Sequence, residues 1–237
     1  MKSRVHILFI LFLITLTLGI SGCKNETQSS VSFPGTTLSP APSDKSPVNT
    51  YMNTYLSVLQ NKTRFFSTDA KKELNISQIN QAVSDDSSVK AEVAKFAIVD
   101  LDNNKIPEVI LWLVVNNNDY YGFEILRYQD GTVYGYTVVY RAFMELKDDG
   151  TFSFSGGVAD NGFGTMEFTN EGIKINKITY SESSYDSNND QIISYFVNQK
   201  SAAKEDFLSA INKQNEKPGV TWHDFTDDNI KTLLSDK

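Results

Sequence analysis

Residues 96–115 read FAIVDLDNNKIPEVILWLVV and contain two very apolar segments on either side of a short polar loop. In the second segment both odd-numbered and even-numbered positions are apolar, so a strand there would be apolar on both faces. One face would carry Val109, Leu111 and Leu113, and the other would carry Ile110, Trp112 and Val114. Because strands buried on both faces are usually central, we expect this segment to be a central strand of its sheet.

Strand-like segments alternate with turn signals in the chain that follows. Asp130-Gly131 and Asp149-Gly150 stand between such segments. Asp-Gly is a strong hairpin signal, because the central residues of a tight hairpin turn need positive φ. These features predict an antiparallel meander of about eight or nine strands. An open sheet and a barrel are both compatible with the pattern.

Helical patterns flank the predicted strands. An amphipathic helix at the start of the domain is predicted by apolar residues at three- and four-residue steps, namely Val48, Tyr51, Met52, Tyr55, Leu59 and Phe66. Weaker patterns over residues 74–83 and over Val89–Lys95 predict two further helices. Residues 201–215 and a segment beginning at Thr226 predict C-terminal helices. The predicted fold class is α+β, with N-terminal helices, the meander and C-terminal helices in one domain over residues 48–237.

The first 22 residues are predicted to be a signal peptide. They combine Lys2 and Arg4 with an apolar run that is short for a membrane span. The run stops at the tetrapeptide ISGC, which ends at Cys23, the only cysteine of the chain. No other stretch of the sequence is long and apolar enough to span a bilayer.

The tetrapeptide resembles the lipobox of bacterial lipoproteins. In that family the signal is removed before the cysteine, whose sulfur carries a diacylglyceryl group. The resemblance implies that Cys23 is lipidated and holds the chain in the cell membrane, on its extracytoplasmic face. Two acyl chains give stable anchoring where one gives only reversible binding. An uncleaved anchor helix and an ordinary signal peptide are the alternatives.

Residues 23–47 are predicted to be a disordered tether, because Ser, Thr, Pro and Asn dominate and large apolar residues are almost absent. Removal of residues 1–22 would leave 20 basic against 29 acidic side chains, a formal net charge of −9. Such a surface repels phosphate backbones, which argues against nucleic-acid binding. Without a second thiol there is no intramolecular disulfide, so packing or a metal must stabilise the fold.

The polar loop of the opening stretch carries oxygen atoms at alternate positions. They belong to the side chains of Asp100, Asp102 and Asn104, the carbonyl of Ile106 and the side chain of Glu108. Alternate oxygens in a tight loop converge on one point, as a hard cation such as calcium requires. Asp and Asn also form turns by hydrogen-bonding their own main chain. A metal site and a polar hairpin turn therefore both remain open.

The same loop resembles the Asp-x-Asp-x-Asp-Gly-x-x-Asp loops of FG-GAP and VCBS repeats. It also resembles a DLDGDGIPELIL pattern found in extracytoplasmic proteins of Gram-positive bacteria. The resemblance implies that calcium is held by the side chains of Asp100, Asp102, Asn104 and Glu108. Lys105 departs from the pattern, because it stands where these loops prefer glycine. A single copy of the loop also cannot form a propeller.

Signatures of catalysis are few. After the signal is removed, His223 is the one histidine, and no Gly-x-Ser-x-Gly motif is present, which disfavours a His/Cys zinc site and a serine triad. Paired carboxylates could still serve a small cell-envelope hydrolase. The candidates are Asp85-Asp86, Asp148-Asp149, Asp227-Asp228 and the strand residues Glu108, Glu124 and Glu167. The pairs stand at predicted turns or helix starts, where Asp is favoured for local reasons.

Aromatic residues offer a binding alternative. Tyr134, Tyr136 and Tyr140 are predicted to share one strand face. An exposed row could stack on sugar rings, whereas a buried row would be part of the core, which we favour. The sequence thus favours a non-enzymatic extracytoplasmic binding domain with calcium as a candidate stabilising ion. Its candidate partners are a cell-envelope polysaccharide or a protein, and no residue is assigned a catalytic role.

Overall fold

The computed structural model describes residues 47–169 and 172–235, which belong to one compact unit. The predicted signal peptide, Cys23 and the tether up to residue 46 lie outside the described residues. The helices are α1 (Pro47–Leu59), α2 (Asn80–Val83), α3 (Lys204–Asn215) and α4 (Asp227–Leu234), with 3-10 turns at Ile76–Gln78 and Tyr140–Ala142. The strands are β1 (Phe65–Ser67), β2 (Lys72–Leu74), β3 (Ala91–Val99), β4 (Glu108–Val115), β5 (Asn118–Gln129), β6 (Thr132–Val139), β7 (Phe152–Ser155), β8 (Asn161–Thr169), β9 (Gly172–Tyr185), β10 (Gln191–Val197), β11 (Lys200–Ala202) and β12 (His223–Asp224).

These strands form two sheets. The larger has seven strands in the order β12-β3-β4-β5-β6-β1-β2, and the smaller has five in the order β11-β10-β9-β8-β7. All pairs are antiparallel except β1 with β6. The described part of the chain is thus mostly β with a few helices, which is compatible with the α+β class. The prediction of a single meander of about eight or nine strands is wrong, because twelve strands divide between two sheets over the described residues.

Strand β4 occupies the central position that its sequence predicts. It pairs with β3 on one side and with β5 on the other. Val109, Leu111 and Leu113 belong to one apolar core of the protein, whereas Ile110 belongs to a second core and Trp112 packs against that second core. The two faces of the strand therefore contact different layers, and the prediction of a strand buried on both faces is confirmed.

The two faces of the seven-stranded sheet are covered by different elements. On one face, Tyr55 and Val58 of α1 and Ile230 of α4 pack into the core that contains Leu111. On the other face, Phe152 of β7 and Met166 of β8 pack into the core that contains Ile110. The layers follow the order helices, seven-stranded sheet, five-stranded sheet. Among the residues that the structure describes, no helix is long and apolar enough to cross a membrane.

The helix predicted over Val89–Lys95 is wrong, because most of this segment lies in strand β3. Ala, Glu and Lys favour helix, but propensity is a weak preference that tertiary pairing overrides. Here β3 runs along β4 from the Ala91–Val115 pair to the Val99–Glu108 pair, with an irregularity between Val93 and Lys95. Pairing with the most apolar strand of the protein therefore decides its conformation.

Strands β9 and β10 extend past the rest of their sheet as a two-stranded ribbon. The ladder between β8 and β9 ends at the Gly162–Tyr180 pair, whereas β9 and β10 stay paired up to Tyr185 and Gln191. Tyr185 is 66% exposed, and Ile192 and Ile193 are also exposed. At the base of the ribbon, the Asp160 carboxylate accepts hydrogen bonds from the backbone N–H and the hydroxyl of Ser183.

Helix α1 is attached to the sheet by one buried hydroxyl. Tyr55 is fully buried, and its hydroxyl oxygen accepts a hydrogen bond of 2.7 Å from the backbone N–H of Tyr128. Strands β4 and β5 stop pairing at Val109 and Leu126, and Tyr128 lies two residues further along β5. The Tyr55 hydroxyl therefore gives the Tyr128 N–H an acceptor that β4 does not provide.

Replacing Tyr55 by Phe should lower the free energy of unfolding by about 1–3 kcal/mol, because the Tyr128 N–H would lose its acceptor in a buried environment. The matched control is Tyr51→Phe, since Tyr51 is also buried in α1 but its hydroxyl has no hydrogen-bond partner among the described residues. Urea unfolding followed by tryptophan fluorescence measures both. Equal losses in the two variants would mean that the Tyr128 hydrogen bond contributes nothing.

Candidate functional site

The loop between β3 and β4 has the backbone of a tight turn. Asn103 and Lys105 adopt left-handed conformations, with φ of 58° and 71°. Asn tolerates this region well, but Lys105 adopts it without being a glycine. Gly150, with φ of 78°, packs so closely that an added Cβ would lie 2.5 Å from the carbonyl oxygen of Asp100. The neighbouring Asp149-Gly150 turn therefore supports the start of the loop.

Side chains of the loop bind its own main chain. The Asp100 carboxylate accepts hydrogen bonds from the N–H groups of Asn104 at 3.2 Å and Lys105 at 2.9 Å. Asp102 also accepts from the Asn104 N–H, at 3.2 Å. The Asn104 side-chain oxygen accepts from the N–H of Ile106 at 2.6 Å. These contacts are those of a turn closed by Asp and Asn side chains, and they orient the side chains of Asp100, Asp102 and Asn104.

Three of the predicted ligands come together. One carboxylate oxygen each from Asp100, Asp102 and Glu108 lies within 4.8 Å of the other two. Calcium binds oxygens at about 2.3–2.6 Å, so oxygens with this spacing can share one ion. The donor set is also of the hard oxygen type that calcium prefers. The residues therefore fit a calcium ion, while the metal-binding roles of Asn104 and Ile106 remain predictions.

Glu108 is the unusual member of this cluster. It is fully buried at the start of β4, where its Oε2 accepts a hydrogen bond of 2.9 Å from the N–H of Leu101. Its Oε1 is buried without a hydrogen-bond partner among the described residues. Burial raises the pKa of Glu108 to about 8, and the hydrogen bond from Leu101 opposes this rise. In the absence of a bound cation, the carboxyl group therefore holds a proton near neutral pH.

Arg127 provides the positive charge of the site. Its Nη2 lies 3.1 Å from Oδ2 of Asp102, and its Nε lies 3.7 Å from Oε1 of Glu108. The second contact places the guanidinium beside the Glu108 carboxyl group, at a distance too long for a hydrogen bond. The guanidinium also lies over the ring of Phe168 in the five-stranded sheet, 4.6 Å from its centre. Arg127, which lies in the seven-stranded sheet, therefore links the loop between β3 and β4 to the five-stranded sheet.

Sequence reasoning does not find Arg127. It stands in β5, 25 positions after Asp102, and only the fold brings the two together. The one local signal is a basic residue inside a strand whose neighbours are apolar. A charged residue that faces inward from a strand needs a partner of opposite charge. The acidic loop before β4 could have been proposed as that partner.

Glu124 is a second fully buried carboxyl group, on the helix-covered side of β5. Its Oε2 accepts a hydrogen bond of 2.7 Å from the Thr137 hydroxyl, and its Oε1 is buried without a partner among the described residues. Burial raises its pKa to about 8, with a smaller contribution from the negative charge of Asp69. Gly135 leaves the necessary room, since an added Cβ would lie 2.3 Å from Oε1.

The other carboxylates predicted from the sequence do not join Glu108 or Glu124 in a buried position. Glu167 is exposed on β8 and forms a 3.7 Å ion pair with Lys174. Glu108, Glu124 and Glu167 thus have three separate environments, and the structure does not bring them together. The side chains of Asp85-Asp86, Asp148-Asp149 and Asp227-Asp228 are exposed. His223 lies in the short strand β12, half-buried against the ring of Phe96 at 5.9 Å between centres.

The polar loop between β9 and β10 is a hairpin turn. The Asp186 carboxylate accepts hydrogen bonds from the N–H groups of Asn188 at 2.8 Å and Asp190 at 2.9 Å. Asn189 adopts the left-handed region, with φ of 66°. The last residues of the turn are exposed, so the loop is a solvated turn closed by a single aspartate.

The tyrosines of β6 divide between two environments. Tyr134 and Tyr136 lie on the strand, with Tyr134 half-buried and Tyr136 only 7% exposed. The prediction that Tyr140 shares their strand face is wrong, because β6 ends at Val139 and Tyr140 begins a 3-10 turn. Its ring packs instead against Tyr120 and Phe123, at 5.1 and 6.0 Å between centres. Tyr134 and Tyr136 line a cleft of about 560 Å³.

The pKa of Glu124 predicts a pH-dependent stability. The folded protein holds a proton on this carboxyl group up to about pH 8, whereas an unfolded glutamate loses it near pH 4.5. The contribution of Glu124 to stability should therefore be complete below pH 4.5 and decline as pH rises to 8, by up to about 1.4 kcal/mol per pH unit. Glu124→Gln mimics the protonated group and should make the decline shallower in urea unfolding between pH 5 and pH 8.5, while Glu108, whose pKa is also about 8, keeps its own contribution.

The matched control is Glu167→Gln, because Glu167 is exposed and should leave the pH dependence as it is in the parent chain. Both proteins are compared in EDTA, so that metal binding does not contribute. A decline of the same slope with and without Glu124 would contradict a protonated buried carboxyl at this position.

Comparison of the chain with protein-family models, with curated proteins and with solved structures gives no match. The geometry of the site offers two chemical capacities: a partly buried carboxylate cluster that can receive a cation, and a cleft lined by aromatic rings that is open to solvent.

Proposed function

We propose that the chain is a lipid-anchored extracytoplasmic protein whose domain binds a partner without catalysing a reaction, and that calcium stabilises this domain. The observation that carries the proposal is the burial of Glu108 beside Asp100 and Asp102. A carboxylate with no exposed surface cannot reach a substrate, but it can be a ligand for an ion held at the surface by its two half-buried neighbours.

The charges in the site support a weak calcium site. Asp100 and Asp102 contribute two negative charges, and Arg127 offsets one of them across a distance of 3.1 Å. Glu108 would lose its proton to become a ligand, because metal binding requires the ionised carboxylate. Both effects reduce affinity, so we expect a dissociation constant on the order of 10⁻⁴–10⁻³ M, as in extracellular modules. Such an ion would stabilise the loop rather than act as a sensor.

The burial of the carboxyl groups favours binding over catalysis. A small hydrolase with paired carboxylates is the alternative, and it needs two acids that face a substrate. Glu108 and Glu124 are fully buried in separate places, and the adjacent aspartate pairs are exposed at turns or at a helix start. Among the described residues, Asp102 and Glu167 do line one cleft, but each is already paired with a cation, Asp102 with Arg127 and Glu167 with Lys174.

The sequence supports the membrane anchor. An apolar run of signal-peptide length ends at ISGC, and Cys23 is the only cysteine in the chain. A diacylglyceryl group on Cys23 would place the domain outside the cytoplasm, where free calcium is abundant. The tether between Cys23 and the first described helix would then separate the domain from the membrane.

Calcium should raise the melting temperature of a soluble chain that begins at Asp44, three residues before the first described helix. At a dissociation constant near 10⁻⁴ M, 10 mM calcium adds about 2.7 kcal/mol relative to EDTA by mass action. For a domain of this size that is roughly 5–10 °C. The double variant Asp100→Asn/Asp102→Asn should lose the shift, whereas the control Asp186→Asn/Asp190→Asn on the exposed turn should keep it.

Arg127→Gln separates a metal site from a simple turn in the same assay. Without calcium the variant should melt at a lower temperature, because two carboxyl groups lose their cationic neighbour. Its calcium-induced shift should be larger than that of the parent chain, since the ion no longer competes with the guanidinium. If no chain shifts in calcium, the loop is a turn held by its own hydrogen bonds and the calcium part of the proposal fails.

Expression of the full chain in a lipoprotein-processing bacterium tests the anchor. Mass spectrometry of the N-terminal peptide should find Cys23 as the first residue, carrying a diacylglyceryl group. Cys23→Ala should be neither lipidated nor cleaved at this position. An unmodified Cys23 inside a longer N-terminal peptide would contradict the proposal, whatever fraction of the protein is recovered with membranes.

A further inference from the structure

The cleft beside Tyr134 and Tyr136 is large enough for a small ligand. It lies where β6, β1 and the loop after β1 face the end of β8 and the start of β9. Its volume of about 560 Å³ is within the range of about 300–1,000 Å³ that is usual for small-molecule sites. Two elements of the larger sheet and two of the smaller one therefore enclose it on opposite sides.

Three aromatic rings and Ile173 form the apolar part of the cleft. Tyr136 is buried and packs on Phe168, with 5.2 Å between ring centres. Phe66 and Tyr134 are half-buried, and their rings are 6.0 Å apart with planes at 70°. Rings that belong only to a core would be covered on both faces, whereas these two keep part of their surface open to the cleft. They offer a ligand two apolar surfaces that face in different directions.

Polar groups beside the rings are held in place with some of their hydrogen-bonding capacity unused. The Oδ2 atom of Asp69 accepts a hydrogen bond of 2.9 Å from the Thr137 N–H, while its Oδ1 makes no hydrogen bond among the described residues. Gln129 Oε1 accepts a hydrogen bond of 2.8 Å from Arg127. Because a guanidinium only donates, this contact fixes the amide orientation and leaves the Gln129 NH₂ group as a donor.

The charges of the cleft favour an uncharged ligand. Asp69 and Lys71 are both exposed at its rim and offset each other. The whole chain has a formal net charge of −7, which repels anionic polymers. A sugar hydroxyl both donates and accepts, so it can pair with Asp69 Oδ1 and with the Gln129 NH₂ group, while the apolar C–H face of the sugar covers an aromatic ring.

We propose that this cleft binds an uncharged hexose-based oligosaccharide, which stacks on Tyr134 and Phe66 and hydrogen-bonds to Asp69 and Gln129. The proposal rests on the binding function proposed above and names its class of ligand. Tyr134 and Phe66 set the apolar contact, and the two polar residues set the orientation of the sugar ring.

Isothermal titration calorimetry of the chain beginning at Asp44 tests the proposal with three uncharged probes: cellotetraose, maltotetraose and N-acetylchitotetraose. At least one should bind saturably. Tyr134→Ala should weaken its binding by about tenfold or more, as expected for an aromatic anchor. Tyr134→Phe should retain the affinity, because the ring provides the contact. Asp69→Asn should weaken binding severalfold through loss of the charged acceptor.

Tyr185→Ala is the matched control, since Tyr185 is a 66% exposed tyrosine on the ribbon and does not line the cleft. It should leave the affinity unchanged. Melting temperatures establish that each variant is folded. If Tyr134→Ala does not fold, Gln129→Ala replaces it, because Gln129 is exposed and should weaken binding severalfold without disturbing the core.

Three results would overturn the assignment: no heat from any of the three sugars, binding that Tyr134→Ala and Tyr185→Ala weaken equally, or binding unchanged by Tyr134→Ala and Asp69→Asn together. These results leave the proposed function itself to be judged separately. The calcium shift depends on Asp100 and Asp102, and the anchor depends on Cys23. Neither Asp100 nor Asp102 lines the cleft.

Discussion

Strand β4 has no face that can be left in water. Leu111 and Leu113 on one side and Ile110 on the other are fully buried, and burial of each such side chain contributes about 1.5–3 kcal/mol. A two-layer protein could cover only one side. The helices α1 and α4 cover the first face and the five-stranded sheet covers the second, so the three-layer arrangement follows from the composition of this one strand.

Strand β4 also begins with an ionisable residue, Glu108, which is buried beside the apolar residues of the strand. Glu108 lies between the layers, where an unpaired carboxylate would be costly. The protein reduces that cost in three ways: a hydrogen bond from Leu101, a raised pKa, and Arg127 close by. Arg127 is itself stacked on Phe168 of the second sheet. The acidic loop, the buried carboxyl group and the contact between the sheets therefore depend on one another.

The sequence predicts features that short-range patterns encode. The two apolar faces of β4 and the turn character of residues 100–107 are local, and the structure has both. The features it misses depend on contacts distant in the chain. The parallel pairing of β1 with β6 and the ion pair of Arg127 with Asp102 join residues far apart in sequence. The first part of strand β3, Ala91–Lys95, is mispredicted for a related reason: these residues favour helix, but pairing with β4 makes them a strand.

The ribbon of β9 and β10 is stabilised differently from the rest of the protein. Beyond the Asp160 contacts to Ser183, its two strands have only each other as partners, and isolated two-stranded hairpins are marginally stable in water. Its tip can therefore open while both sheets stay folded, as a local event with a small free energy. In that open state Tyr185, Ile192 and Ile193 would be accessible on a flexible segment, and a protease would cut the domain there before it cut the sheets.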